Sequence, residues 1–191
     1  VQALETLCVD KFVVQVKPLR AFKVGLITTG SEVFQGKTKD AFGPVIKQKL
    51  SDLGSEVINQ VFVPDDLNKI VHAIRDFLTQ EVDMIAVSGG MSVDPDDLTP
   101  GAIKAAGAEV VGYGVPVLPG NMFMLGYLGD KPIVGLPGCV MYSSNTVFDL
   151  ILPRLLAEEK LTRRDLNQLA YGGLCLNCPV CQYPVCPFGK A

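Results

Sequence analysis

Apolar and polar positions along this chain follow two rhythms, and each rhythm names its elements. Lys23-Val24-Gly25-Leu26-Ile27-Thr28, Glu56–Val63, Val82–Val87 and Lys131–Gly138, the last ending in Pro-Gly, are short runs rich in β-formers, the form of strands buried in a sheet. Between them the apolar period lengthens. Ile46, Leu50 and Leu53 share one face of a helix expected from Pro44 to Gly54. Leu67, Ile70, Val71, Ile74, Phe77 and Leu78 follow the i, i+3, i+4, i+7 pattern behind Asp65 and Asp66, which suit the positive end of a helix. Thr99 is expected to cap a third helix with Pro100 at its first position. Strand and helix alternate three times, which predicts an α/β fold: a mostly parallel sheet in a three-layer sandwich, joined by right-handed crossovers.

After Gly107 the rhythm breaks into glycines, prolines and short β-like pieces up to Gly126. From Cys139 to about Glu159 the mostly apolar sequence predicts one long helix, kinked or ended near Pro153. A short charged helix is expected over 160–170, and Gly172-Gly173 leads into a cysteine-rich tail. The expected division is a lead-in over 1–21, an edge strand or a connector by pattern alone, a core domain over 22–158, and a short helix with the tail over 159–191.

The stretch that organises the chain is Val87-Ser88-Gly89-Gly90-Met91-Ser92-Val93-Asp94-Pro95-Asp96-Asp97. A buried strand stops at a double glycine, crosses an acidic loop and restarts as a helix. Loops leaving the carboxyl ends of parallel strands are where ligands bind in such sheets. Two further loops leave strand ends, Thr28–Glu32 and Leu136–Gly138, and parallel strands turn all three toward one crevice. That crevice would offer amides from Gly30, Gly89, Gly90 and Gly138, hydroxyls from Thr28, Thr29, Ser31 and Ser92, and carboxylates from Glu32, Asp40 and Asp97. Amides and hydroxyls suit a phosphate. Carboxylates suit Mg²⁺ or a donor-rich ring on the same ligand. Neither a Gly-x-Gly-x-x-Gly fingerprint nor a Gly-Lys-Ser phosphate loop is present.

Composition narrows the partners. With 191 residues, 48% of them hydrophobic, there is enough chain for one core and an appendage. A net charge of −3, scattered Lys and Arg and no Trp argue against nucleic acid or an anionic membrane surface. No apolar run approaches the roughly 18 residues of a membrane helix. The opening residues lack a signal-peptide pattern. Cys175, Cys178, Cys181 and Cys186 crowd the tail, so metal ligation in a reducing cytoplasm is expected rather than a disulfide framework. Cys-x₂-Cys-x₂-Cys-x₄-Cys-Pro is one residue off the bacterial ferredoxin run, and four thiolates can equally enclose Zn²⁺. Both metals stay open. Cys8, His72 and the methionines at 122, 124 and 141 fit packing or surface roles. Cys139 begins a helix, where a thiol pKa can fall, but it has no base partner in view.

Several of these motifs together resemble a known family. Thr28-Thr29-Gly30-Ser31-Glu32, Asp83–Val93, the closing Asp97, Pro119-Gly120-Asn121 and Leu136-Pro137-Gly138 resemble the molybdopterin-binding domain of molybdenum-cofactor biosynthesis proteins over roughly residues 22–157. Val63-Pro64-Asp65-Asp66 is similar to the molybdotransferase branch, which inserts molybdate into adenylylated molybdopterin. Asp40-Ala41-Phe42-Gly43-Pro44 is similar to the adenylyltransferase branch. The resemblance implies molybdopterin as ligand and a transferase activity, with Glu32, Asp40 and Asp97 as catalytic carboxylates near Mg²⁺ or molybdate. It implies a pterin-binding set of Thr29, Gly30, Ser31, Ser88, Gly89, Gly90 and Ser92, with Pro119, Gly120, Pro137 and Gly138 as the far wall. It also implies a homo-oligomer, trimer or dimer. Two departures stand out: Asp94-Pro95 where the family places Gly then Asp, and Pro137-Gly138-Cys139-Val140 where it places Pro-Gly-Asn-Pro. They motivate two alternatives, a non-catalytic molybdopterin carrier or regulator, and a redox or structural metal module on an α/β scaffold.

Overall fold

A computed structural model describes residues 14–190 of the protein. The expected edge strand around Phe12–Val16 and the packing role of Cys8 fall wholly or partly outside those residues, and 14–22 carry no regular structure. Six strands form one sheet: β1 (Lys23–Thr29), β2 (Glu56–Val63), β3 (Met84–Ser88), β4 (Glu109–Tyr113), β5 (Met124–Leu128) and β6 (Lys131–Leu136). Their order is β2-β1-β3-β6-β5-β4. The four strands β2, β1, β3 and β6 run parallel; β5 and β4 add an antiparallel edge. The predicted three-layer α/β sandwich with a mostly parallel sheet is what the chain adopts.

The helices are α1 (Ser31–Phe34), α2 (Phe42–Ser51), α3 (Leu67–Leu78), α4 (Thr99–Ala105), α5 (Val147–Leu156) and α6 (Arg163–Gln168). Alternating side chains of each strand feed two cores, one on each face of the sheet. Val24, Leu26, Ala86 and Val134 pack with Ile46 and Leu50 of α2 and with Phe148, Ile151 and Leu155 of α5. Ile27, Ile85, Val87 and Ile133 pack with Ile70, Ile74 and Phe77 of α3 and with Ala102 and Ile103 of α4. The apolar face expected of α3 is therefore the face it buries, and Asp66 caps it by accepting from the Lys69 amide at 3.0 Å.

Helix boundaries shift by two or three residues at Phe42–Ser51 and Arg163–Gln168, Ser31–Phe34 adds a short helix beyond those expected, and two further places differ more. The single long helix from Cys139 to Glu159 is instead a 3₁₀ turn at Gly138–Met141, an irregular stretch, and then α5. Thr146 and Asp149 close a capping box there, which starts a new helix and ends the old one. Thr99 is also not a cap. It lies inside α4, Leu98 holds the cap position, and the Thr99 hydroxyl donates instead to the Gly89 carbonyl at 2.8 Å.

A second capping box, Thr162 with Asp165, begins α6. The Thr162 hydroxyl, then Arg154, hold the Asp165 carboxyl below its ordinary 3.8, at about 2. A depressed carboxylate stabilises the fold above its unfolded pKa of about 3.9 and loses that contribution as pH falls through about 2. Asp165→Asn is expected to cost about 0.5–1 kcal/mol near neutrality. The gap to wild type should close on acidification through that window, read from urea midpoints. A gap that persists at the acid end contradicts this assignment.

Candidate functional site

The chain order of the parallel strands makes the site. β1 is flanked by β2 on one side and β3 on the other, so the crossovers after β1 and after β2 leave in opposite directions across the sheet. The carboxyl ends of β1 and β3 border the crevice that this reversal opens. Register places Thr28 beside Ser88 and Ser88 beside Leu136, so the three predicted loops leave neighbouring strands at one level.

Beneath the loops lies a floor of buried hydroxyls. Gln60 Nε2 donates to the Thr28 hydroxyl at 3.0 Å and to Asp40 Oδ2 at 2.6 Å. The Ser88 hydroxyl lies 3.3 Å from that of Thr28 and 3.4 Å from the Ile27 carbonyl. The Thr29 and Thr99 hydroxyls approach to 3.5 Å. Thr28, Thr29, Ser88 and Thr99 are all buried. These hydroxyls brace the strand ends, and their hydrogen-bonding capacity is largely spent within the protein.

The loop amides divide into those that donate within the protein and those that find no acceptor among the described residues. Gly30 donates its amide to the Val63 carbonyl at 3.1 Å, and the Ser31 amide donates to Asp65 Oδ2 at 2.8 Å. Asp65 thus occupies the start of α1, where the sequence suggests amides open to a ligand anion. In the central loop the picture reverses. Gly89 and Gly90 take left-handed φ of 89° and 57°, and among the described residues the Gly90 and Met91 amides find no protein acceptor. The loop beyond them is held in shape. Asp97 accepts from the Ser92 amide, Asp94 from the Asp96 amide at 3.1 Å, and Tyr113 donates its hydroxyl to the Ser92 carbonyl at 2.9 Å. Burial, and secondarily the Asp97 charge, raise the Tyr113 pKa, so it remains a donor.

The three carboxylates stand apart in environment. Asp40 is saturated, accepting from the Phe42 and Gly43 amides at 2.9 and 3.0 Å as well as from Gln60. Glu32 is exposed, and among the described residues its carboxylate accepts only from the Thr38 hydroxyl at 3.3 Å. Among the described residues no three His, Cys, Asp or Glu side chains are grouped to hold a single metal ion. Of the three expected carboxylates, Asp40 has its oxygens taken by protein donors, which leaves Glu32 and Asp97. The far-wall residues split as well. Gly120, with φ of 115°, packs under Val147, where a Cβ would come within 2.6 Å of that side chain. Pro137 is buried, Gly138 is exposed at the loop, and Pro119 lines a different cavity. The Cys139 thiol is pushed up by burial, the opposite of an activated nucleophile.

Gln60, Asp65 and Tyr113 are not foreseen in these roles from the sequence. Gln60 is the one with a testable weight, since it joins the first polar loop to the floor. Gln60→Ala is expected to cost about 1–2 kcal/mol in denaturant unfolding by leaving Thr28 and Asp40 short of a donor. Unchanged stability would remove it from the brace.

Over residues 25–157 the sequence matches the family described as "Probable molybdopterin binding domain". It is 30% identical over 131 residues to a molybdopterin molybdenumtransferase of Staphylococcus aureus, covering 65% of this chain and 31% of that protein. The chain thus spans about a third of the length of the curated relatives it matches. A solved molybdopterin biosynthesis enzyme MoaB from Thermus thermophilus is similar with a TM-score of 0.60 and 26% identity, over 72% of this chain and 98% of that one. A molybdopterin biosynthesis MoeA protein from Pyrococcus horikoshii gives 0.58 and 27%, over 72% of this chain but 35% of its own. No helix among the described residues is long and apolar enough to cross a membrane.

Proposed function

The chain belongs to the molybdopterin-binding domain family, and from that premise we propose that it binds molybdopterin, or its adenylylated form, in molybdenum-cofactor biosynthesis. One observation carries the reading: the Gly89-Gly90 turn, at the carboxyl edge between β1 and β3, leaves the Gly90 and Met91 amides without a protein acceptor among the described residues, above a braced hydroxyl floor. Amides in that setting suit the phosphate of the ligand's tail. Glu32 follows β1 and Asp97 closes the central loop itself, where they can accept from ring donors. Thr29, Ser31, Ser88 and Asp40 act by positioning these loops, with Ser92, Pro137 and Gly138 nearer the ligand. The binding unit is residues 22–158, with 159–191 as a metal-binding tail. Assembly as a trimer or dimer, and a cytoplasmic setting, belong to the same proposal.

The likeness to MoaB spans nearly all of that protein, and the likeness to MoeA about a third of it; the reading takes in both adenylyl transfer and molybdate insertion as the step served. A second reading, a carrier or regulator without turnover, is favoured by the carboxylates themselves. Asp40 is filled by protein donors, and Asp97 holds the Ser92 amide. Mg²⁺ accordingly enters the proposal only as a counter-ion carried by the ligand's phosphate.

Anaerobic incubation of the chain with molybdopterin and either Mg·ATP or molybdate separates the two. Adenylylated or molybdenum-loaded product supports the transferase, and stoichiometric retention of unchanged molybdopterin supports the carrier. No retention by the folded chain overturns both.

A further inference from the structure

Residues 173–190 have almost no regular secondary structure, yet they are fastened to the domain. Leu118 donates its amide to the Gly173 carbonyl at 2.6 Å, and Cys175 donates back to the Leu118 carbonyl at 2.8 Å. Tyr183 donates its hydroxyl to the Asp149 carbonyl at 3.0 Å, and Phe188 is buried in the core on the α5 face. This wrap encloses a cavity of about 380 Å³ between the tail and the Tyr142–Asn145 segment. All four tail cysteines line it, with Leu174, Tyr183 and Phe188 as apolar walls.

Packing accounts for two of these thiols, which lie against the core, and not for the other two. Cys175 and Cys186 are half-buried, but Cys178 and Cys181 are exposed, and all four are free rather than paired as disulfides. Asn145 Nδ2 donates to Cys181 Sγ at 2.9 Å, which ties the tail to the Tyr142–Asn145 segment. Four soft donors around one largely apolar cavity are the donor set for zinc or an iron–sulfur cluster. The spacing favours the cluster: Cys-x₂-Cys-x₂-Cys-x₄-Cys-Pro is one residue off the run whose thiolates cap a cubane. All four thiols line the one cavity, although among the described residues no three such side chains are grouped around a single metal position.

We propose that Cys175, Cys178, Cys181 and Cys186 hold a [4Fe–4S] cluster in this cavity, each thiol giving up its proton to bind one iron. The Asn145 amide is a positioning donor to the Cys181 sulfur. The inference rests on the reading of the tail as metal-binding, and it is independent of the pterin loops.

The test uses the full chain, purified without oxygen, incubated with ferrous iron and sulfide or separately with Zn²⁺, and desalted before assay. About four iron and four sulfide per chain are expected, with visible absorption that dithionite bleaches. Cys178→Ser and Cys181→Ser alter exposed side chains and should keep the wild-type far-UV spectrum while losing most of the iron. Cys139→Ser, outside the cavity, should keep its full complement. Equal iron loss in Cys139→Ser would overturn the ligand set. One tightly held zinc with no retained iron or sulfide would overturn the cluster but keep the metal-binding tail. Retention of neither metal would overturn both.

Discussion

Gly89→Val lowers molybdopterin affinity by at least about 100-fold, or about 2.7 kcal/mol, and destabilises the fold by about 2–5 kcal/mol. Two independent constraints set this expectation. The backbone at Gly89 has φ of 89°, which a β-branched residue tolerates poorly. A Cβ there would also fall 2.5 Å from the Thr29 carbonyl oxygen, which belongs to the end of β1 and cannot move without disturbing the sheet. The loop must lift, and the Gly90 and Met91 amides leave the crevice with it. Gly90 is a gentler case. Its φ of 57° lies in the left-handed helical region, and the nearest atom to a new Cβ is the rotatable Thr99 hydroxyl at 2.9 Å. Gly90→Ala should therefore bind at least about tenfold more tightly than Gly89→Ala, a difference of about 1.4 kcal/mol. Titration of both variants checks the order, and equal affinities would contradict the close approach of β1 to Gly89.

Phe77→Ala is expected to destabilise the protein by about 3–5 kcal/mol, lowering the melting temperature by on the order of 10 °C. The Phe77 ring is 1% exposed and lies against the backbone of β1 at Gly25. A Cβ built on Gly25 would come within 2.5 Å of the ring, so the glycine exists in the space the ring requires. Removing the ring leaves a void bounded by a strand on one side and α3 on the other, and neither can collapse without breaking sheet pairing. Thermal and urea unfolding measure it. A loss below about 2 kcal/mol would show that the site relaxes as ordinary surface does.

Where a structural fact is local, the sequence carries it. The apolar stripe of α3 and the β-rich runs of β1, β3 and β6 are self-contained patterns, and the sandwich follows from their alternation. The double glycine was legible for the same reason, since a buried strand cannot end in Gly-Gly without a sharp change of backbone. Boundaries were less so. Hydrophobicity from Cys139 onward concealed the break at Ser143-Ser144-Asn145-Thr146, although Thr146 followed three residues later by Asp149 is a capping box that marks a fresh start. What had no local signal was the traffic between distant segments. Asp65 fills the start of α1 from 34 residues away, and Gln60 reaches Asp40 across 20. These contacts decide which amides and carboxylates remain for a ligand, so the list of candidate residues was readable while their division into floor and contact was not. The cysteines repeat the lesson. Their spacing raises the expectation of a soft-metal site, but nothing local places Asn145 beside Cys181; the wrap of the tail does that.

The most direct test of the central claim is anaerobic calorimetric titration of the full chain with molybdopterin, with Gly89→Val and Cys178→Ser alongside. The account predicts one saturable site per chain, lost in Gly89→Val and kept at wild-type affinity in Cys178→Ser. No saturable heat from folded wild type, or wild-type affinity in Gly89→Val, would contradict it.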